Sequence, residues 1–316
     1  MPDTTRLIEH GIGETRFARI EDGRIVEARI LVDGIVPAGT PLVGRLKRSG
    51  LQLIADVDGQ EYLLPEGAPG VAEGAELKIE VTREIIPGLE SWKRPLARQG
   101  GGEAKTVDRV GTSEQSFPGT SNALSAAGWD DLIGEARSGA IYFDGGELHI
   151  FPTPAMTLID VDGALPPDEL SRRAAPEAAR AILRLGIGGS IGIDFPTVAG
   201  KTARAQVGLA IDEILPRPFE RTSLNGFGFV QIVRPRRQAS LVELAQDRAP
   251  FEARALLRQI AFEPAGPKRI VAHPAVVSVL ERQPAWIDAL ARQVGGTVGL
   301  RADPSLPMSG GYAERA

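Results

Sequence analysis

Two short apolar runs, each ending in carboxylates and separated by a helix-length stretch, restrict this chain more than any other feature. They read Leu158-Ile159-Asp160-Val161-Asp162 and Ile191-Gly192-Ile193-Asp194-Phe195. Each is too short for a helix and carries enough β-branched residues for a strand. The stretch between them predicts a helix, with Pro176 near its first turn, Ala178, Ile182 and Leu185 on one face, and Gly186, Gly188 and Gly189 as its stop. Strand, helix, glycine turn and strand make a βαβ unit with parallel strands. Parallel neighbours bring Asp160 and Asp194 out at the same sheet edge, where open α/β sheets take their ligands. A carboxylate among Val and Ile is costly unless it is paired, hydrogen-bonded or metal-bound. Two such groups side by side repel, and a divalent cation between them removes that penalty. The pattern alone leaves a second reading open, in which each Asp caps the following helix or accepts backbone N–H bonds in a turn.

The rest of the chain sorts around this unit. Strands are expected at 140–143, 148–151, 156–161 and 190–194. A helix follows at 201–215, with Ala203, Val207, Ala210, Ile211 and Ile214 on one face, and then a strand at 227–233. These make an α/β domain over 129–245. Residues 246–316 read as a smaller α/β unit, with helices at 251–260 and 284–294 and strands at 269–272 and 297–300. Upstream, 15–84 is a series of short strands broken by Asp22-Gly23, Ser49-Gly50, Asp58-Gly59 and Glu73-Gly74, and Asp-Gly is a favoured hairpin turn. Such a series suggests a small barrel, and 1–98 is expected to hold N-terminal strands and an OB-type barrel, a solution that often binds nucleic acid. From 99 to 128 the chain is rich in Gly, Ser and Thr with little periodicity, which predicts a flexible linker.

Composition limits the chemistry. There is no cysteine, which removes disulfides, thiolate nucleophiles and thiolate metal sites. His10, His149 and His273 are far apart in sequence and lack close metal-ligand spacing. Oxygen ligands, and so Mg²⁺ or Mn²⁺, are what such a chain can offer a metal. The formal net charge of −5 argues against a uniformly basic nucleic-acid binder. Positive charge is local: 201–237 holds seven basic residues against three acidic ones. No apolar run reaches the roughly 18–20 residues of a membrane span, and the N-terminus lacks the pattern of a signal peptide. A cytoplasmic protein is expected.

The residues also resemble a known family. Met156-Thr157-Leu158-Ile159-Asp160-Val161-Asp162, the Gly188-Gly189 stop and Ser190-Ile191-Gly192-Ile193-Asp194-Phe195 resemble the catalytic core of the ribonuclease E/G endoribonucleases. Asn225-Gly226-Phe227-Gly228-Phe229-Val230-Gln231-Ile232, with Arg234 and Arg236 behind it, is similar to that family's next strand. Residues 51–65 and 73–84 resemble its RNA-binding barrel, and Arg269-Ile270-Val271-Ala272-His273-Pro274 its small domain. About two thirds of the chain takes part.

The resemblance implies a DNase I-like catalytic domain in which Asp160 and Asp194 hold Mg²⁺. Asp162 stands where the family usually has a supporting asparagine. It further implies cleavage of single-stranded RNA to 5′-phosphate and 3′-hydroxyl ends. Lys201, Arg204, Arg234 and Arg236 are candidates to hold phosphates by position and charge, and Tyr62 is the nearest candidate to stack a base. The chain also departs from the family. Thr197 replaces a usual Asp, Gln231 a usual Glu, and much of the region that senses an RNA 5′-monophosphate is missing. Without Cys there is no zinc-linked oligomer, so any homodimer forms through protein surface. These departures keep a rival in play, a non-catalytic RNA-binding protein on the same fold.

Overall fold

A computed structural model describes residues 4–100, 112–116 and 122–315. In chain order the first strands are β1 (Thr4–His10), β2 (Glu14–Glu21), β3 (Arg24–Val32), β4 (Pro41–Ser49), β5 (Gln52–Val57), β6 (Gln60–Leu63), β7 (Glu76–Arg83), β8 (Leu96–Gln99) and β9 (Thr112–Ser116). Then come α1 (Ala123–Ala126), α2 (Trp129–Ser138), β10 (Ala140–Phe143), β11 (Gly146–Pro152), β12 (Thr157–Gly163), α3 (Pro167–Arg184), β13 (Gly189–Asp194), α4 (Lys201–Ile214), β14 (Glu220–Arg221) and β15 (Phe229–Arg234). The chain closes with α5 (Leu241–Gln246), α6 (Arg248–Ala261), β16 (Lys268–Ala272), α7 (Pro274–Glu281), α8 (Pro284–Val294), β17 (Val298–Ala302) and β18 (Tyr312–Arg315). They group into two units built from alternating pieces of chain. One takes Met1–Asp33, Gly111–Leu132 and Leu244–Ala316, and the other takes Gly34–Val110 and Ile133–Glu243. Among the described residues no helix is long and apolar enough to cross a membrane.

The second unit carries a closed barrel of β4-β5-β6-β8-β7 and a six-stranded sheet ordered β10-β11-β12-β13-β15-β14. Leu46, Tyr62, Leu77, Ile79 and Val81 fill the barrel. In the six-stranded sheet, β12 and β13 run parallel, joined through α3, while β11 and β15 flank them antiparallel. One face is apolar and buried under helices: Ile159, Ile191, Ile193, Val230 and Ile232 are all at 0% exposure. Helix α3 begins at Pro167, nine residues before Pro176, so Pro176 lies inside it rather than near its start. Pro176 has no N–H to give the carbonyl of Arg172, an interior defect that normally costs about 3 kcal/mol. It is tolerated on a face of buried small residues (Ala174, Ala175, Ala178, Ala179, Ala181) that lies close on the sheet. The Arg237 carbonyl accepts from the Glu84 N–H at 2.8 Å, tying the end of the barrel to the segment after β15.

The first unit corrects two expectations. Residues 4–32 do not join the barrel; they form a separate sheet, ordered β3-β2-β1-β9. Its fourth strand lies inside the stretch expected to be a linker: Thr112–Ser116 pairs parallel with β1. The following Leu124 in α1 is fully buried. The remainder of that stretch, 101–111 and 117–121, lies outside the described residues. Alternate residues of β2 are buried, and two of these, Glu14 and Arg16, are charged. They are neutralised across the unit: Arg16 pairs with Glu9 at 2.7 Å and Glu14 at 2.5 Å, Arg254 of α6 with Glu14 at 2.8 Å, and Arg258 with Glu9 at 2.9 Å. The C-terminal part has the expected α6, β16, α8 and β17, with α7 and β18 added, around a core that includes Ile12, Leu257, Ile270 and Leu290.

Candidate metal and nucleic-acid site

The crossover through α3 sets Asp160 and Asp194 directly opposite each other on adjacent parallel strands. Neighbouring strands lie about 4.8 Å apart, so the two side chains leave the same face side by side. Ile159, Val161 and Ile193 point to the helices and lock both strands from behind. Asp160 is half-buried and Asp194 exposed. Burial, then the charges of Asp162 and Asp194, push the Asp160 carboxyl above its usual range, against smaller opposing effects of the Val161 N–H and His149. Asp162 is on the same face two residues on, exposed, and opposite Glu147.

That face is the open one. Its register holds Tyr142 and Glu147, His149 and Phe151, then Leu158, Asp160 and Asp162, then Gly192 and Asp194, and finally Phe229, Gln231 and Val233, with Glu220 at the edge. No Lys or Arg has a place in it. The ring of Phe229 lies over Gly192, where an added Cβ would stand 2.5 Å from Phe229 Cζ and 3.0 Å from Leu158 Cδ2. The ring of His149 lies near-parallel to Phe151, with centroids 6.4 Å apart. A turn fixes the strand after Phe227: Asn225 Oδ1 accepts from the N–H groups of Phe227 at 2.9 Å and Phe229 at 3.0 Å. Phe195 donates its N–H to the Gly228 carbonyl at 2.9 Å, which clamps the chain beside Asp194. Gly228 has φ +96°, and a Cβ there would run into the Phe195 carbonyl oxygen.

No family model matches the chain, and no curated protein matches it. The site stands on its geometry.

The other expected residues separate clearly. Lys201 is exposed at the first position of α4. Arg204 donates to the Val198 carbonyl at 3.2 Å and so props the loop between β13 and α4. Arg234 falls in the register of the helix-covered face, opposite Gly189, and donates to the Ile187 carbonyl at 3.1 Å. Arg236 is ion-paired to Glu90 and Glu243, and its side chain is 17% exposed, so its charge is spent inside the protein. Tyr62 is a barrel core residue at 2% exposure and has no face for a base, which corrects the stacking expectation. Thr197 is exposed, and Gln231 sits on the open face opposite Gly192. His149 is the residue that sequence spacing passed over. It stands opposite Asp160 across β11 and β12, 3.5 Å from Glu147, and only strand register reveals the neighbourhood.

As a metal site the donor set is made of hard oxygens. Among the described residues no group of three or more His, Cys, Asp or Glu side chains is arranged to hold a metal. Two carboxylates completed by water is the usual habit of Mg²⁺, which binds through one or two protein carboxylates and keeps several waters. The raised Asp160 carboxyl fits the same reading: burial lifts it first and the charges of Asp162 and Asp194 add to that, and a cation at the pair would offset both.

Proposed function

We propose that this protein is a Mg²⁺-dependent endoribonuclease of single-stranded RNA with the architecture of the ribonuclease E/G family. The observation that carries the reading is the in-register pair of Asp160 and Asp194 on adjacent parallel strands, on a face whose described strand positions hold no Lys or Arg. The barrel supports it. Its strands close in the order first, second, third, fifth, fourth, with β6 and β8 parallel, an order that supports the OB-type reading. The six-stranded sheet with helices on one face then plays the part of the DNase I-like domain. The same reading places the protein in the cytoplasm, among RNA-processing or RNA-decay enzymes.

Asp160 and Asp194 would hold the Mg²⁺, which would supply Lewis acidity toward a phosphoryl oxygen and make a water easier to deprotonate to the attacking hydroxide. The chain's own work is positional. Asp160 and Asp194 present their oxygens from strands fixed by the core behind them, so little reorganisation is left for the reaction. Asp162 adds negative potential from two residues away, and Lys201 offers an exposed cation near the loop that leaves Asp194. Arg204 positions that loop through Val198. The products are 5′-phosphate and 3′-hydroxyl ends.

Incubation of the purified protein with a single-stranded RNA, in Mg²⁺ and in EDTA, followed by sequencing of the ends, tests this. Mg²⁺-dependent cuts with those ends, absent from the Asp194→Asn variant, are expected. Intact RNA at every metal concentration removes the enzyme reading. Thr197 favours one rival, a non-catalytic RNA-binding protein, because it leaves the β13–α4 loop without the second carboxylate that the family's pattern has there. Binding without cleavage is its signature.

A further inference from the structure

The open face of the six-stranded sheet is arranged in transverse rows, and two adjacent rows have opposite chemistry. One row runs His149, Asp160, Asp194 across β11, β12 and β13. The row beside it runs Phe151, Leu158, Gly192, and the Phe229 ring leans into it because Gly192 has no side chain. Phe151 is 54% exposed and Leu158 37% exposed, so this apolar shelf is open to solvent directly beside the carboxylates. The two rows are two residues apart along each strand, about 6.6 Å. That is close to the advance of one nucleotide along an extended single strand.

We infer that the Phe151–Leu158–Phe229 shelf stacks the nucleobase of the nucleotide next to the phosphate held at Asp160 and Asp194. This rests on the nuclease reading and deepens it, by naming what selects single-stranded RNA. Charge chooses the occupant. The face carries Glu147, Asp160, Asp162, Asp194 and Glu220 and no Lys or Arg. A second copy of this acidic face or an anionic lipid surface is repelled. A duplex offers mainly its phosphates and keeps its base faces stacked inside. An unstacked strand can turn a base face toward the shelf and leave its phosphates in solvent, except the one bridged by a cation. Aromatic stacking of this kind tolerates any base, since each has a π-face.

The test uses the full chain and a short RNA with one internal 2-aminopurine, single-stranded or annealed to its complement, titrated in EDTA and again in Mg²⁺. Stacking quenches the probe. Wild-type protein is expected to quench the single strand and leave the duplex signal unchanged. Phe151→Ala, a change at an exposed position, should weaken single-strand binding about tenfold and abolish the quench, while Phe151→Trp keeps both. Gly192→Ala, which displaces the Phe229 ring, should reduce the quench as well. Equal binding and quench by wild type and Phe151→Ala overturn the shelf, as does the absence of any wild-type quench in both buffers. The two readings fail separately. Quenching without Mg²⁺-dependent cleavage removes the nuclease and keeps the shelf; cleavage without any quench of the probe removes the shelf and keeps the nuclease.

Discussion

Glu14→Gln should destabilise the first unit by more than any single apolar truncation of an exposed residue. The Glu14 carboxylate is buried between Arg16 and Arg254, whose side chains are 1% and 5% exposed. Glutamine keeps the size and one acceptor but removes the charge, leaving two guanidinium groups out of water with less to balance them. Breaking one partner of a buried ion pair costs roughly 3–5 kcal/mol. With a urea slope of about 2 kcal/mol per molar, the midpoint should fall by about 2 M. Burial pushes the Glu14 carboxyl up, but the charges and hydrogen bonds of Arg16 and Arg254 outweigh it and hold the group below its ordinary 4.5. A folded-state value below the unfolded one means that the contribution is complete above about pH 4.5 and is lost as pH falls through the lowered value. Wild type should therefore lose stability on acidification in that window, and Glu14→Gln should lose less. Urea melts followed by tryptophan emission in a Trp92→Phe background report on this unit, because Trp129 and Trp286 belong to it. A midpoint within about 0.3 M of wild type, or an unchanged acid limb, would refute the argument.

Three further outcomes are expected. Asp160→Asn and Asp194→Asn should each reduce Mg²⁺-dependent cleavage by more than the roughly 10–100-fold typical of residues that only support a metal ligand, with unchanged thermal melts, while Asp162→Asn is milder; near-wild-type rates would sink the two-carboxylate site. Gly228→Ala should cut the cleavage rate with the far-UV spectrum intact, because its methyl group drives Phe195 and the adjoining Asp194 away; a normal rate would show that the turn does not position Asp194. Tyr62→Phe should leave RNA binding unchanged, whereas Tyr62→Ala should cost about 3–5 kcal/mol of barrel stability; a selective loss of RNA affinity in Tyr62→Phe would return that residue to the RNA surface.

The candidate carboxylates were legible in the sequence because their signal is local. An Asp at the end of a Val- and Ile-rich run needs only the strand period and one parallel pairing to be placed. The boundaries of β10, α4 and α8 were legible for the same reason, since each has a single apolar face. The hairpin of β2 and β3 around Asp22-Gly23 was legible too, but not β1, nor the sheet of their own that these strands form. Glu14 and Arg16 alternate as a solvent face would, and their burial depends on Arg254, which pairs with Glu14 across 240 residues, and on Arg258, which pairs with Glu9 across 249 residues. Pro176 misled in the opposite way, since proline usually marks a helix start and here a row of alanines lets the helix run through it. Arg236 was read as a phosphate candidate because charge is visible in a sequence and a partner such as Glu90 or Glu243 is not. His149 and Phe151 gained meaning only from strand register, which fixes what lies across from each residue.

The alternation of chain segments between the two units has a consequence for synthesis. A ribosome delivers β1, β2 and β3 more than 200 residues before α6, so their sheet must wait for the arginines that pair with it. An unfinished sheet with an apolar inner face is a template for aggregation. Glu9, Glu14 and Arg16 make that face one that water tolerates during the wait. The same charges become costly only once they are enclosed, and by then the arginines of α6 have arrived. The polar inner face thus serves the half-made chain as well as the finished one, and a shortened chain ending before α6 should keep its N-terminal segment soluble and unfolded.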